Sequence, residues 1–413
     1  MKITFYTLGC KVNQYESQSL KEELLNYGIS ENAPDIIVVN SCTVTAESDR
    51  KTRQTVHRAR KENPDAVIVL TGCMAQTSPK EAEKLPCDIV LGNTASRNLP
   101  VAISQFLQSQ NKVFAVDKHK AGEVYSTLPI KSGGERTRAY MKIEDGCNRG
   151  CTYCIIPKAR GRVRSREIAS ITSEAKDLAA AGYSEIVLVG INLSSYEYGL
   201  ANAVKAAAQE GIKRVRLGSL EPDLTTPQLV KELMKIPQFC PQFHLALQSG
   251  CDKTLRAMNR LYDTKYFLQL VNDIKKICPA ARFTTDIMVG FSGESEQDFV
   301  ESVEFCKKVG FLKMHVFPYS ERPGTFAADY PDKVQKKEKE RRAAIMRKAG
   351  DIMTAEILKE YLGKTVQVLV ESGSGGHTAD YVYVRLQGEN IAAGQIVTAT
   401  VTGIKDGELI AEI

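Results

Sequence analysis

Residues 147–154 read Cys147-Asn148-Arg149-Gly150-Cys151-Thr152-Tyr153-Cys154. Three thiols spaced C-x3-C-x2-C can hold three corners of a [4Fe-4S] cluster and leave the fourth iron without a protein ligand, open to a small molecule. The competing reading is a zinc knuckle or three buried structural cysteines. Structural zinc sites are closed by four ligands, commonly as two close Cys or His pairs. No fourth Cys or His stands near this run, so the spacing favours an open cluster.

On either side the chain alternates short β-branched runs with amphipathic segments. From Arg138 onward the candidate strands are AYMKIE, EIVLVG, RVRLGS, FHLALQ, FTTDIMVG and KMHVFPY, with helices expected near 166–181, 226–235, 252–276 and 296–308. Six strand-helix units are too few to close an eightfold barrel, which predicts a partial or open (β/α) barrel with the cysteine loop at the carboxyl end of its first strand. Polar residues at the carboxyl ends of the later strands are candidate ligand contacts: Asn192, Ser219, Glu221, Gln248, Ser249 and Asp286. Each can equally cap the helix that follows. Directly after the cysteines, Lys158, Arg160, Arg162, Arg164 and Arg166 recur at every second residue. An extended segment would place them on one face, suited to a phosphate backbone, and a solvated loop is the alternative.

Residues 1–125 repeat the alternation as KITFYTL, DIIVVN, AVIVLT and DIVL, separated by helices expected near 14–27, 47–62, 78–84 and 97–108. This pattern predicts βαβ units and a parallel sheet. Cys10, Cys42 and Cys73 each follow the carboxyl end of one of these strands, the edge where open α/β sheets bind ligands. A lone cysteine is usually a small core hydrophobe. Three at equivalent positions point instead to a second open cluster. Cys87, Cys240, Cys251, Cys278 and Cys306 show no such equivalence and read as structural.

A linker is expected over 118–137, around Gly122, Pro129 and the Ser132-Gly133-Gly134 turn. Lys333 to Arg347 mixes both charges at helical spacing and reads as the solvated face of a helix closing the barrel. From about 362 the pattern changes to short strands divided by turns such as Ser372 to Gly376, which predicts a small antiparallel barrel. There Tyr381, Tyr383 and Arg385 alternate, either to stack on bases or to pack a core. The expected division is therefore 1–125, 138–360 and 362–413.

The 413 residues are 43% hydrophobic and 25% charged, ordinary for a globular chain and inconsistent with disorder. The net charge of +6 permits a nucleic-acid partner without requiring one. MKITFYTLGC lacks a signal-peptide core, and no run approaches the roughly 20 apolar residues of a membrane span. A cytoplasmic location and no membrane partner are expected. There the 11 cysteines would stay reduced and clustered thiols would bind metal.

Taken together, TLGCKVNQYES at 7–17, VNSCTV at 39–44, TGCMAQ at 71–76, CNRGCTYCIIP at 147–157 and the carboxyl-terminal β-rich segment resemble the methylthiotransferase family of radical S-adenosylmethionine (SAM) enzymes over essentially the whole chain. The resemblance implies an α/β architecture: an amino-terminal parallel domain, a partial (β/α)6 barrel and a TRAM-like RNA-binding barrel. It implies that Cys147, Cys151 and Cys154 hold the radical SAM [4Fe-4S] cluster and that Cys10, Cys42 and Cys73 hold an auxiliary one. Asn192, Ser219, Glu221, Gln248 and Asp286 become candidate contacts to SAM or substrate, and Arg160, Arg162, Arg164 and Arg166 candidate RNA contacts. GCKVNQYES and IIPKARGRVRSR are similar to the type that methylthiolates N6-threonylcarbamoyladenosine at tRNA position 37, with SAM as both radical source and methyl donor. Lys158 departs from the aromatic residue common in sister enzymes. The implied partners are a tRNA anticodon stem-loop, an electron-donor protein and a sulfur source, and DNA is not expected. Two other substrates fit the family: isopentenyladenosine in tRNA and a ribosomal protein aspartate. A non-enzymatic iron-sulfur RNA-binding or electron-transfer protein is the rival of another class, but electron carriers normally close their clusters with a fourth cysteine.

Overall fold

Runs of Ile, Val and Leu long enough to be buried on both faces form the central strands of the amino-terminal region. In a computed structural model describing residues 2–28, 34–126, 128–131, 136–372, 374–388 and 391–413, five strands lie side by side in chain order and all parallel. They are β1 (Ile3–Thr7), β2 (Ile36–Ser41), β3 (Val67–Gly72), β4 (Ile89–Leu91) and β5 (Val113–Ala115). Helices α1 (Lys11–Asn26), α2 (Ala46–Glu62), α3 (Cys73–Thr77), α4 (Pro79–Glu83) and α5 (Leu99–Ser109) connect them. β2 and β3 are buried along their whole length, as expected of a parallel sheet covered on both sides.

Alternation divides their side chains between two cores. Ile36, Val38, Val67 and Val69 pack with Leu20 and Leu24 of α1 and with Leu99 and Ile103 of α5. Ile37, Val39, Ile68 and Leu70 pack with Val56 and Ala59 of α2 and with Met74. Each of these Val, Ile, Leu and Met side chains contributes about 1.5–3 kcal/mol through burial. The short strand β5 and the one-and-a-half-turn helix α3 lie outside the elements expected from sequence.

Packing divides the chain into two compact units. The first comprises Met1–Ser132, Glu144–Arg166 and Ser320–Ala328; the second comprises Gly133–Ile143, Glu167–Tyr319 and Asp329–Ile413. The cysteine loop at 147–154 therefore packs with the amino-terminal sheet. Around it the first unit adds an antiparallel pair of two-residue strands, Glu144–Asp145 with Arg164–Ser165, and a short helix α6 (Ile156–Arg160). The linker turn expected at Ser132-Gly133-Gly134, and Gly373 in the expected turn 372–376, lie outside the described residues.

The second unit contains all six expected barrel strands as two parallel sheets. One is ordered Arg214–Leu217, Glu185–Val189, Ala139–Lys142; the other Ser219–Leu220, Gln242–Leu245, Arg282–Val289, Lys313–Pro318. The single helix expected over 252–276 is two, Asp252–Ala257 and Thr264–Ile277. Asn259 takes a left-handed φ of +56°, and Asp263 caps the second helix by accepting from the Tyr266 N–H at 2.7 Å. Helix Leu200–Ala207 was not expected, although Leu200, Ala203, Val204 and Ala207 give it a buried face.

Beyond helix Lys336–Lys359, five strands close a small barrel around Val368, Val370, Val384, Leu386, Val401 and Leu409. It is not wholly antiparallel: Tyr383–Gln387 pairs parallel with Glu408–Glu412. Tyr381 (φ +74°) stacks on His377 at 4.6 Å, with the Arg216 guanidinium 5.0 Å from its ring. Arg385 pairs with Glu408 at 2.6 Å. These contacts favour packing over base stacking for Tyr381. Among the described residues no helix is long and apolar enough to cross a membrane.

Burial also sets an alkaline limit on stability. Cys306 is fully buried in helix Glu296–Val309, and desolvation pushes its thiol from 9.0 up to about 12. The unfolded chain therefore releases this proton first. Its contribution is intact below pH 9 and is lost as the pH rises toward 12, by about 4 kcal/mol over the whole window. Urea titrations of Cys306→Ala should show a shallower loss of stability between pH 9 and 11 than the wild-type chain; equal slopes would contradict this.

Candidate metal centres

The first three parallel strands present their cysteines at one sheet edge. β1 pairs with β2 as far as Thr7 with Asn40, and β2 with β3 as far as Ser41 with Gly72, so the chain leaves all three at the same level. Cys10 then precedes α1, Cys42 follows β2 directly, and Cys73 opens α3. Cys10 is exposed, whereas Cys42 and Cys73 are buried. The turns that make this approach possible need glycine. Gly9 has φ +106°, and a Cβ there would lie 2.8 Å from Cys42 Cβ and 3.1 Å from its sulfur; Gly72 has φ +92°, and a Cβ would lie 2.5 Å from Asn40 Oδ1.

Asn13 ties the edge together. Its Nδ2 donates to the Leu8 and Ser41 carbonyls, each at 2.9 Å, while Asn40 Nδ2 donates to the Asn13 carbonyl at 3.1 Å. Ser41 Oγ donates to the Thr71 carbonyl at 2.6 Å and accepts from the Met74 N–H at 3.0 Å. These bonds fix the loops that carry the three thiols.

A cation completes this edge. Arg160, at the carboxyl end of α6, is only 1% exposed. Its Nε donates to Cys73 Sγ at 3.3 Å, and its terminal nitrogens grip both Glu16 carboxylate oxygens and Asn13 Oδ1 (2.8 Å), with Asp145 3.5 Å away. Burial pushes the Cys73 thiol up, and the Arg160 guanidinium offsets only part of that rise. Burial likewise raises Cys42, and the neighbouring Cys73 adds to that rise. Three cysteines held on adjacent strand ends, with a guanidinium to offset the charge their thiolates would carry, fit a three-cysteine cluster.

The second triad lies on a loop held at its base. Cys147 N–H donates to the Gly161 carbonyl at 3.0 Å, Val163 N–H to Asn148 Oδ1 at 3.2 Å, and Ala327 N–H to the Thr152 carbonyl at 2.8 Å. Within the loop, Arg149 N–H points at Cys147 Sγ at 3.4 Å and Cys154 N–H at the Cys151 carbonyl at 3.1 Å. Gly146 (φ +87°) leaves no room for a side chain, since a Cβ would sit 2.0 Å from the Arg162 carbonyl oxygen. All three sulfurs are on partly exposed residues. A backbone N–H directed at a thiolate and partial exposure of all three ligands fit an open cluster. α6 begins two residues after Cys154 and ends at Arg160, so one short helix links this loop to the Cys73 sulfur.

The four arginines do not form the extended face expected of them. Residues 156–160 are helical; Arg160 and Arg166 are 1% exposed, and Arg164 pairs with Glu123 and Asp145 at 3.3 and 3.5 Å. Arg166 points at the Tyr15 hydroxyl at 3.3 Å. Arg162 and Lys158 are exposed.

In the second unit, Glu221 pairs with Arg260, and its N–H donates to Ser194 Oγ at 2.9 Å. Asp286 lies 3.3 Å from His244 Nε2. Gln248 has φ +67° and bridges Asp286 and Met288 through its backbone. Asn192 and Ser249 are buried and Ser219 is exposed. Sequence reading missed His244 and His315, whose rings lie 5.9 Å apart beside Asp286. The signal was present as a histidine inside each of the runs FHLALQ and KMHVFPY.

Comparison with known proteins agrees with this geometry. Residues 141–306 match the radical SAM superfamily and residues 2–92 match the uncharacterized protein family UPF0004. A threonylcarbamoyladenosine tRNA methylthiotransferase MtaB of Bacillus subtilis is 35% identical, over 96% of this chain and 92% of the relative. One of Thermotoga maritima is 37% identical, over 88% and 85%. A tRNA-2-methylthio-N(6)-dimethylallyladenosine synthase of Pelotomaculum thermopropionicum is 32% identical, over 98% and 96%. Among solved structures, the radical SAM methyltransferase TsrM of Kitasatospora setae, with cobalamin and a [4Fe-4S] cluster bound, superposes with a TM-score of 0.59 at 14% identity over 79% of this chain and 74% of that one, a likeness of fold. Identity above 30% along nearly the full length of both chains establishes that this chain belongs to the radical SAM methylthiotransferase family, as a member of its MtaB type.

Proposed function

We propose that this enzyme converts N6-threonylcarbamoyladenosine at position 37 of tRNA to its 2-methylthio derivative, with the base presented by the anticodon stem-loop. The observation that carries the reading is the assembly of both cysteine triads in one compact unit, joined through α6 and Arg160. The relatives named for the threonylcarbamoyl substrate support that choice of base. SAM and [4Fe-4S] clusters are the cofactors of this family: Cys147, Cys151 and Cys154 would hold the cluster that binds SAM, which would supply hydrogen abstraction from an unactivated carbon, and Cys10, Cys42 and Cys73 would hold the cluster that supplies a transferable sulfur.

The chain's own residues position these groups. Arg160 offsets thiolate charge at Cys73 and ties the radical SAM loop to the sheet edge. Asn192, Ser219, Glu221, Gln248 and Asp286 are assigned to SAM or substrate, with Arg260 holding Glu221 and His244 beside Asp286. The segments 1–125, 138–360 and 362–413 serve as auxiliary-cluster domain, radical SAM core and TRAM-like RNA-binding domain. An electron donor and a sulfur source complete the cycle. Of the four arginines, Arg162 keeps the phosphate role: Arg162→Gln should weaken tRNA binding whatever the sequence and flatten the log–log salt slope by up to about 0.7–0.9. An unchanged slope would remove Arg162 from the interface.

Mass spectrometry of tRNA nucleosides from a deletion strain tests the substrate. The 2-methylthio form of threonylcarbamoyladenosine should vanish and its unmethylthiolated precursor accumulate. Loss of the methylthiolated isopentenyladenosine instead would assign the chain to the other substrate.

A further inference from the structure

Cys42 is 7% exposed and Cys73 4%. A [4Fe-4S] cluster held at these residues gains one negative charge with each electron it takes up, and a buried site resists added charge. Two side chains from outside the triad offset that resistance at one sulfur. Arg160 Nε donates to Cys73 Sγ at 3.3 Å, and Asn93 Nδ2, two residues beyond β4, lies 3.7 Å from the same atom. Asn93 Nδ2 also donates to the Ala159 carbonyl at 2.7 Å, the residue before Arg160 in α6. The fourth strand of the sheet thus brings an amide to the edge where the first three bring cysteines.

Glu16 offsets the guanidinium only in part. Arg160 grips both Glu16 oxygens, and Asp145 lies 3.5 Å away. The Glu16 side chain is 20% exposed, however, while that of Arg160 is 1% exposed, so water screens the carboxylate more than the cation. The residual field acts on the buried ligands. Burial opposes the thiolate form of Cys42 and of Cys73, and Arg160 favours it at both. Glu16 opposes it at Cys73. One cation and one carboxylate therefore act on the same site with opposite signs.

We propose that Arg160, together with Asn93, sets the reduction potential of the strand-edge cluster and holds it above the value that burial alone would give. This rests on the two-cluster reading above and names the residues that govern electron uptake at one of the two sites. A positive charge and N–H donors at a ligating sulfur stabilise the form that carries the extra electron. One electron passes from the reductant to the cluster, and no bond is made or broken. Arg160 and Asn93 are positioning residues in this role, since they touch a ligand and not the reacting carbon.

The test is an EPR-monitored dithionite titration of full-length, anaerobically reconstituted protein in which Cys147, Cys151 and Cys154 are alanine, so that the strand-edge cluster is read alone. Arg160→Gln should shift the reduction equilibrium toward the oxidised form by about tenfold, or about 59 mV for one electron, as expected when a nearby cation is lost. Asn93→Ala should move it the same way by a smaller factor. Glu16→Gln should move it the opposite way, because the opposing carboxylate is gone. This last change keeps the side chain's size and an oxygen to accept from Arg160, so it reports on charge even where Arg160→Gln fails to fold. A purely structural role for Arg160 would cost cluster occupancy without shifts of opposite sign. An unmoved equilibrium in Glu16→Gln, or in an Arg160→Gln chain that retains its cluster, would overturn the proposal, as would shifts of one sign in both. If the background chain assembles no cluster at all, the two-cluster reading falls and this assignment with it.

Discussion

Changing Cys10, Cys42 and Cys73 together to alanine will leave reductive cleavage of SAM to 5′-deoxyadenosine under dithionite largely intact and abolish the methylthiolated nucleoside in tRNA carrying the threonylcarbamoyl group. The two triads hang on different backbone segments, linked by the Arg160 side chain. Cys147, Cys151 and Cys154 are held by the backbone of 161–163 and by Ala327, whereas Cys10, Cys42 and Cys73 are carried by β1, β2 and β3. Removing one set leaves the other's scaffold in place. Loss of an outer hydrogen bond to a metal ligand costs roughly 10- to 100-fold, so loss of three ligands should exceed that for the product. Cys147→Ala alone should abolish both readouts. Product formation by the triple variant would show that the strand-end cysteines are core residues.

Arg160→Ala should destabilise the first unit by about 3 kcal/mol, measured as a lower urea midpoint at unchanged slope. The guanidinium is 1% exposed and directs its N–H groups at Cys73, Glu16 and Asn13. Its removal takes the guanidinium away from the Glu16 carboxylate, which is only 20% exposed. Breaking a buried pair on one side costs about 3–5 kcal/mol, and Glu16's partial access to water places this case at the low end. Adding Glu16→Gln should recover part of the loss. A cost below about 1 kcal/mol would mean the pair behaves like a surface salt bridge.

The strand-end cysteines were legible because a run such as DIIVVNSC gives both the strand and its exit. No tertiary information is needed to see that Cys10, Cys42 and Cys73 occupy equivalent places. The six barrel strands were legible for the same reason. The arginine run was misleading: every second residue is cationic, but period two gives one face only in an extended chain, and Pro157 instead starts a helix. What buries Arg160 is Glu16, 144 residues away, and no local pattern contains that pairing. The Asp49–Arg322 pair was hidden likewise, since its members meet across 273 residues. His244 and His315 were visible as polar residues inside strands, but only the register of Asp286 with His315 makes them neighbours.

Each triad should hold its own cluster. Iron and sulfide analysis with Mössbauer spectroscopy of anaerobically reconstituted protein tests it most directly. The intact protein should hold two [4Fe-4S] clusters per chain, falling to one when Cys147, Cys151 and Cys154 are changed to alanine and to one when Cys10, Cys42 and Cys73 are changed. A single cluster in the intact chain, or zinc at either triad, would contradict it.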